Sequence, residues 1–386
     1  MTGKYPIFLV LIWLLQSALV LLLAYWNPNH FTTIDSGYYL ESASQLLRGE
    51  GHSYIENGRT VWNSIFPLGY PAAIAGVALV SGLPVLWASK LVNLLASAVF
   101  LYLLHRWFGE RKAVQGGLVL LLGQFVKLWA HTWSEPLFLV LLFGWAYLFF
   151  KHAHRYYLVF VVGLALMLVR YAGIFIIPLA LIFAVVQFRR NQRQPARISF
   201  WLAMGWLFAI GNYFNYNLYK SGEWYGGERF GEVPAFASSL LLFGQGLLNE
   251  FFLFRDTDFS GPDTLFTIGL VFQVALMALM FVTRTGFRSL SSLYPVRFAW
   301  YTALGYLVFF FIVRMLSPFD APGYRLLAPF SFLFFWEILY RIKEIALSGN
   351  RALIGWAALF ASWLHLLPQA NIAGKLGPLW HWVGMP

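Results

Sequence analysis

Asp35-Ser36-Gly37-Tyr38-Tyr39-Leu40-Glu41 follows the first hydrophobic segment of the chain. An ionised carboxylate beside a bilayer must face water, a cation or a substrate, so Asp35 is the first candidate for chemistry. Downstream come Gln45-Leu46-Leu47-Arg48-Gly49-Glu50-Gly51, an aromatic and polar stretch, and then Phe66-Pro67-Leu68-Gly69-Tyr70-Pro71, which opens another apolar helix. Whether these segments lie outside or inside a membrane decides the fold.

Composition answers the larger half of that question. Of 386 residues, 60% are hydrophobic, 19% aromatic and only 11% charged. A soluble domain of that make-up would expose far too much apolar surface, so the fold class is an all-α polytopic membrane protein. The formal net charge of +11 does not point to nucleic acid, because most basic residues fall in short clusters between hydrophobic segments, where they set orientation. With no cysteine, disulfides, thiolate zinc sites and thiol catalysis are excluded.

Hydrophobic windows give about eleven spans, each near the roughly 20 residues that cross the hydrocarbon core. They read as Tyr5–Tyr25, Trp87–Phe108, Ala113–Trp129, Glu135–Phe150, Tyr156–Val169, Ala172–Phe188, Ser199–Tyr219, Leu265–Val282, Phe298–Val313, Leu326–Tyr340 and Ala352–Leu367. Placing Lys4, Arg106/Arg111/Lys112, Lys151/Arg155, Arg189/Arg190/Arg193/Arg197, Arg284/Arg288/Arg297 and Arg341/Lys343/Arg351 on one side satisfies the alternation at every loop. That side is cytoplasmic by the positive-inside rule. The first segment lacks a small-residue cleavage site and reads as a retained anchor. The amino terminus is then expected inside and the carboxyl terminus outside, in a cytoplasmic membrane.

The whole chain, 1–386, reads as one transmembrane domain with two long outer segments, 27–86 and 220–264. The first contains Asp35 and the apolar stretch Ile65 to Leu83. If that stretch spanned, every later basic cluster would change sides, so it is expected to lie along or re-enter the interface. The second carries Glu223, Glu228, Glu232, Asp256, Asp258 and Asp263.

Three elements in this order resemble the GT-C glycosyltransferases. The first is the Asp35 stretch itself. His131-Thr132-Trp133-Ser134-Glu135-Pro136-Leu137-Phe138 resembles the family's short outer loop with an acid at the start of the fourth span. Tyr324-Arg325-Leu326-Leu327-Ala328-Pro329 resembles the arginine-bearing turn that opens a late span in many members. Each motif is short, and their joint order over most of the chain carries the resemblance.

That resemblance implies an inverting transfer of a sugar from a polyprenyl-phosphate carrier to a glycan, lipid or protein acceptor, at the outer face of the membrane. A carboxylate of the first outer loop accepts the proton of, or orients, the attacking group. The departing lipid phosphate calls for cations. Asp35 and Glu135 are then the catalytic candidates, and Arg325, Arg170, Lys127 and Arg314 the phosphate-binding ones. Tyr38, Tyr39, Tyr70 and Tyr324 are candidates for sugar or acceptor contacts. No metal ligand set is expected and no cofactor is required, with a divalent metal left open. Some members carry an arginine three residues after the acid, where this chain has Tyr38, and others have two adjacent acids, where it has Ser36. Acceptor preferences of those subfamilies therefore do not carry over.

Each candidate has a plainer role open to it. Asp35 suits an N-cap of a helix over Ser36–Leu47. Glu135 before Pro136 suits a helix start. Tyr38 and Tyr39 suit interfacial anchors, and Arg325 suits an interfacial snorkelling residue. One of Arg170, Lys127 and Arg314 suits neutralising Glu135 or Asp320. Asp256-Thr257-Asp258 matches the metal-binding pair of soluble nucleotide-sugar transferases, but no strand-based domain surrounds it. Lys151-His152-Ala153-His154-Arg155 has too few ligands, among too many cations, for a metal. Gly222, Gly226, Gly227 and Gly231 do not make a phosphate loop. A transporter or flippase of lipid-linked sugars is the alternative class and predicts related halves or paired broken helices. Neither is visible in the sequence. A non-catalytic assembly factor is a third class, in which the outer acids are dispensable.

Overall fold

A computed structural model describes residues 5–226, 235–251, 297–317, 322–341, 350–363 and 366. The expected span Leu265–Val282, the acids Glu228, Glu232, Asp256, Asp258, Asp263 and Asp320, and the glycines Gly227 and Gly231 lie outside the described residues.

The chain is a helical bundle in which long apolar helices alternate with short ones. In order they are α1 (Tyr5–Trp26), α2 (Ile34–Leu47), α3 (Gly69–Ser81), α4 (Val85–Phe108), α5 (Glu110–Gly117), α6 (Gly123–Ala130) and α7 (Glu135–Lys151). They continue as α8 (Tyr156–Val169), α9 (Ile176–Arg189), α10 (Arg193–Ser221), α11 (Phe236–Phe251), α12 (Arg297–Leu316), α13 (Tyr324–Arg341) and α14 (Asn350–Trp363). Their outward faces are apolar. Ile7, Val10, Leu11 and Leu14 of α1, Ile182 and Val185 of α9, Trp201 and Phe208 of α10, and Leu304, Val308 and Ile312 of α12 are all exposed. Water would penalise such a surface and hydrocarbon would not.

Among the described residues, α1 from Pro6, α4, the stretch Tyr171–Arg189 and α12 are long and apolar enough to cross a membrane alone. The expected third span is broken. It consists of α5, a 3₁₀ turn at Leu118–Leu121 and α6, with a 68° bend before Gly123. The eight residues of α6 are all buried, which is where a bent backbone is tolerated inside a membrane protein. The fourteen residues of α8 reach about 21 Å at 1.5 Å per residue. The chain then turns at an extended Arg170 into a 3₁₀ turn, Tyr171–Phe175, that leads to α9.

Residues 27–86 hold two helices and a small hairpin. Thr33 rather than Asp35 caps α2: its backbone N–H donates to Ser36 Oγ at 3.0 Å, and Asp35 sits in the first turn. The antiparallel strands β1 (Ser53–Glu56) and β2 (Arg59–Trp62) are an addition to the all-α expectation. The apolar stretch Ile65 to Leu83 contains the short helix α3, which ends at Gly82 with φ 70°. Within 220–264 an unexpected helix, α11, forms around Leu240-Leu241-Leu242-Phe243. Phe243 packs on Phe310 and Phe311 of α12, with ring centres 5.1 and 4.9 Å apart.

Candidate active site

Four helix ends converge on one cluster of charge. Asp35 lies in the first turn of α2, Glu135 opens α7, Arg325 is the second residue of α13 and Arg170 ends α8. The Arg325 guanidinium donates through Nη1 to Asp35 Oδ2 and through Nε to Glu135 Oε1. Arg170 pairs with the same Glu135 oxygen. The order is therefore Asp35, Arg325, Glu135, Arg170, with charges alternating along it.

Burial divides the two acids. The Glu135 side chain is 1% exposed and that of Asp35 is 32% exposed. A fully buried carboxylate is tolerable only with close cations, and Glu135 has two. Among the described residues Asp35 keeps one and still meets solvent, so of the two acids it is the one open to a molecule arriving from outside the cluster.

The loop between α6 and α7 builds the wall of the site. Trp133 carries the Arg325 guanidinium 4.4 Å from its ring centre. His131 stacks on Trp133 at 3.6 Å with planes 4° apart. Two planar groups so close to one ring occupy its opposite faces, so Trp133 is sandwiched between an imidazole and a guanidinium. Trp133 Nε1 donates to Thr33 Oγ1 at 2.9 Å, which ties the sandwich to the cap of α2. Burial, then Lys127, Lys90 and Arg325, hold the His131 imidazole well below its usual range. Among the described residues its buried Nδ1 has no hydrogen-bond partner.

The four tyrosines differ in their relation to the cluster. Tyr39, one turn after Asp35, bonds Ser134 Oγ at 3.1 Å, and burial followed by the Glu135 charge pushes its phenol up to about 12. Tyr324 bonds His131 Nε2 at 3.2 Å beneath Lys127, whose ammonium is 4.4 Å from its ring centre. Tyr38 points toward the hairpin, edge-on to Tyr54 at 5.0 Å. Tyr70 is fully buried and donates to Asn93 Oδ1 at 3.2 Å. Arg314 is buried in the last turn of α12. Among the described residues the ion pairs to Asp35 and Glu135 come from Arg325 and Arg170. Lys90, Asn93, Trp133, Ser134 and Tyr306 border or brace the site and were not among the expected residues. Lys90 carried a usable signal, a lysine within an apolar span.

The fold and its apolar outward faces define an all-α polytopic membrane protein. No family model matches the chain, and no curated protein matches it significantly. Among solved structures it is similar to ArnT from Cupriavidus metallidurans bound to undecaprenyl phosphate, with a TM-score of 0.55 and 14% identity over 94% of this chain and 75% of that one. Against the apo state of ArnT the TM-score is 0.52 and the identity 15%, over 94% of this chain and 74% of that one. At such identity the likeness concerns the fold, and it is the fold expected from the three sequence elements.

Proposed function

We propose that the chain is an inverting glycosyltransferase that takes its sugar from a polyprenyl-phosphate carrier, with its site on the outer face of the cytoplasmic membrane. The observation that carries this reading is the alternating row Asp35, Arg325, Glu135, Arg170 at the meeting of four helix ends. Three of those ends are amino-terminal, those of α2, α7 and α13, where unpaired N–H groups and the helix dipole favour an anion. A GT-C-like fold, similar to that of a protein crystallised with undecaprenyl phosphate, fits a lipid phosphate there.

In this reading the acceptor hydroxyl gives its proton to the Asp35 carboxylate as its oxygen attacks the anomeric carbon from the side opposite the phosphate. The bond from that carbon to the phosphate oxygen breaks, and its electron pair stays on the oxygen. Arg325 and Arg170 meet the growing charge, Arg325 with a planar fork suited to two phosphate oxygens. Glu135 serves the arginines rather than the acceptor, since it is buried and already engaged by both.

Helix direction supports the outer face. Arg106 ends α4, Lys151 ends α7, Arg155 precedes α8 and Arg341 ends α13. In α7, α8 and α13 the cluster residues stand at the other end, so basic ends in the cytoplasm put the cluster outside.

The test is transfer from undecaprenyl-phosphate donors bearing a hexose or an aminopentose to membrane glycolipid extracts, with and without a chelator. A labelled product of opposite anomeric configuration supports the reading. Failure of every donor, with a folded and lipid-binding protein, sinks it.

A further inference from the structure

Lys90 lies near the start of α4 and is 1% exposed. Among the described residues no carboxylate pairs with it. A lysine amine taken out of water needs good acceptors, and it finds them in the loop that carries Trp133 and Glu135. Nζ donates to the Ala130 carbonyl at 2.6 Å and to Thr132 Oγ1 at 2.8 Å.

The protons of this network run one way. Ser89 Oγ donates to the Leu86 carbonyl at 2.6 Å, which accepts only. The 2.9 Å contact between Ser89 and Thr132 therefore takes its proton from Thr132. Thr132 Oγ1 in turn accepts from Lys90. The series is Lys90 to Thr132 to Ser89 to Leu86, each hydroxyl polarised by the one before it.

Thr132 is also fixed through its backbone. Its N–H donates to the Phe31 carbonyl at 3.1 Å, and its carbonyl accepts from Ser36 Oγ at 2.9 Å. Ser36 is the neighbour of Asp35 in α2. Asn93, one turn beyond Ser89 on α4, donates to the Trp129 and His131 carbonyls at 2.9 and 2.8 Å. The residues of α4 thus receive the carbonyls left open at the end of α6, and Thr132 passes that fixed position on to α2.

We propose that Lys90 is a positioning residue for the reaction. Its amine holds the 130–134 loop so that Thr132 docks on Ser36 and Phe31, which sets the spacing between Asp35 on α2 and Glu135 and the Trp133-stacked Arg325 on the other side. This rests on the transferase reading given above. It is separate from phosphate binding, because among the described residues the Lys90 amine gives its hydrogen bonds to the 130–132 stretch itself.

The experiment uses the full chain in lipid nanodiscs and the variants Lys90→Met, Thr132→Val and Thr132→Ser. Binding of undecaprenyl phosphate counts the sites, and turnover is expressed per site. Lys90→Met is expected to lower kcat about 30-fold or more with the donor KM within about twofold, the pattern of lost geometry rather than lost binding. Thr132→Val is expected to act alike and Thr132→Ser, which keeps the hydroxyl series, to stay near wild type. The Lys90→Met/Thr132→Val pair should be hardly worse than either change alone. Amide exchange at residues 131–133 should quicken about tenfold in Lys90→Met, with α7 and α8 unaltered. Normal turnover per site in Lys90→Met, multiplying effects of the two changes, or a loss explained wholly by fewer lipid-binding sites would each overturn the proposal. If the wild type transfers no sugar, the transferase reading falls, and exchange at 131–133 alone then decides whether Lys90 positions the loop.

Discussion

The guanidinium carbon of Arg325 lies 4.4 Å from the centre of the Trp133 indole. That contact seats the guanidinium against the indole, and its place there decides which two oxygens its N–H groups address. In this structure they belong to Asp35 and Glu135. Trp133→Leu keeps the bulk of an apolar wall and removes the aromatic face. It should lower turnover about tenfold, as befits a stacking contact of about 1–2 kcal/mol, while donor binding stays close to normal. Steady-state kinetics beside a lipid-binding isotherm would check this, and unchanged turnover would make the sandwich mere packing.

Replacing Asp35 with Asn preserves size and an oxygen for Arg325, and removes the proton acceptor. Turnover should drop about 100-fold or more with expression and melting near wild type. A normal rate in Asp35→Asn would move the base elsewhere.

Glu135 behaves differently because it is buried against two arginines. Glu135→Gln leaves Arg170 and Arg325 facing each other without the shared anion, and breaking a buried pair costs about 3–5 kcal/mol. Both activity and melting temperature should suffer, in contrast to Asp35→Asn. Loss of activity with an unaltered melting temperature would show that Glu135 acts chemically instead.

Arg325→Lys retains a charge without the fork and should keep part of the activity, whereas Arg325→Ala should keep little. As phosphate charge grows while the glycosidic bond breaks, the loss in kcat should exceed the loss in donor affinity. Equal losses in both would make Arg325 a ground-state binder.

His52 gives the segment after α2 a pH dependence. Its Nε2 donates to the Phe66 carbonyl at 2.9 Å, so Nδ1 accepts from Ser42 Oγ at 2.5 Å. Burial lowers its pKa from the ordinary 6.5 to about 4. The unfolded loop takes up a proton where the folded loop does not, so this contribution is intact above about pH 6.5 and is lost as pH falls toward 4. The span of the shift corresponds to about 3 kcal/mol. Melting curves between pH 7 and 4.5 should show the decline, and His52→Gln should flatten it. An equal slope in His52→Gln would place the titration in another group.

Much of the site could be read from the chain because charged residues in apolar surroundings are few. Asp35, Glu135, Arg170 and Arg325 stood out for that reason, and the structure brings them together. Their pairing was not readable: Arg325 is 290 residues from Asp35, and nothing local tells an arginine which acid it meets. The hairpin has a local sequence signal that the all-α expectation leaves out. Asn57-Gly58 between Tyr54-Ile55 and Val61-Trp62 is a turn signal for two strands, and both residues have positive φ, 50° and 77°. The bend in the third span has no proline to announce it. Asn93 is hidden by the hydropathy of α4, which averages its polarity away, whereas Lys90 shows as a charge in that span without telling which groups it meets.

Orientation has a direct test, helped by the absence of native cysteine. Thr60→Cys on the exposed hairpin should react with an impermeant thiol reagent added outside intact cells, and Gln192→Cys only after permeabilisation. Labelling of both from the same side would relocate the site.

Gly69 opens α3, and a methyl group there would come within 2.6 Å of the Leu168 carbonyl oxygen. Leu168 is two residues before Arg170. Nearby, the Tyr171 hydroxyl donates to the Ser64 carbonyl at 3.0 Å and the Leu68 N–H to the Tyr213 hydroxyl at 3.1 Å. The outer segment and the arginine of α8 are therefore joined at a seam one carbon atom too narrow for any side chain but hydrogen. Chimaeras that exchange this segment between related chains will succeed only when they carry both edges of the seam, Ser64–Gly69 together with Leu168–Tyr171 and Tyr213.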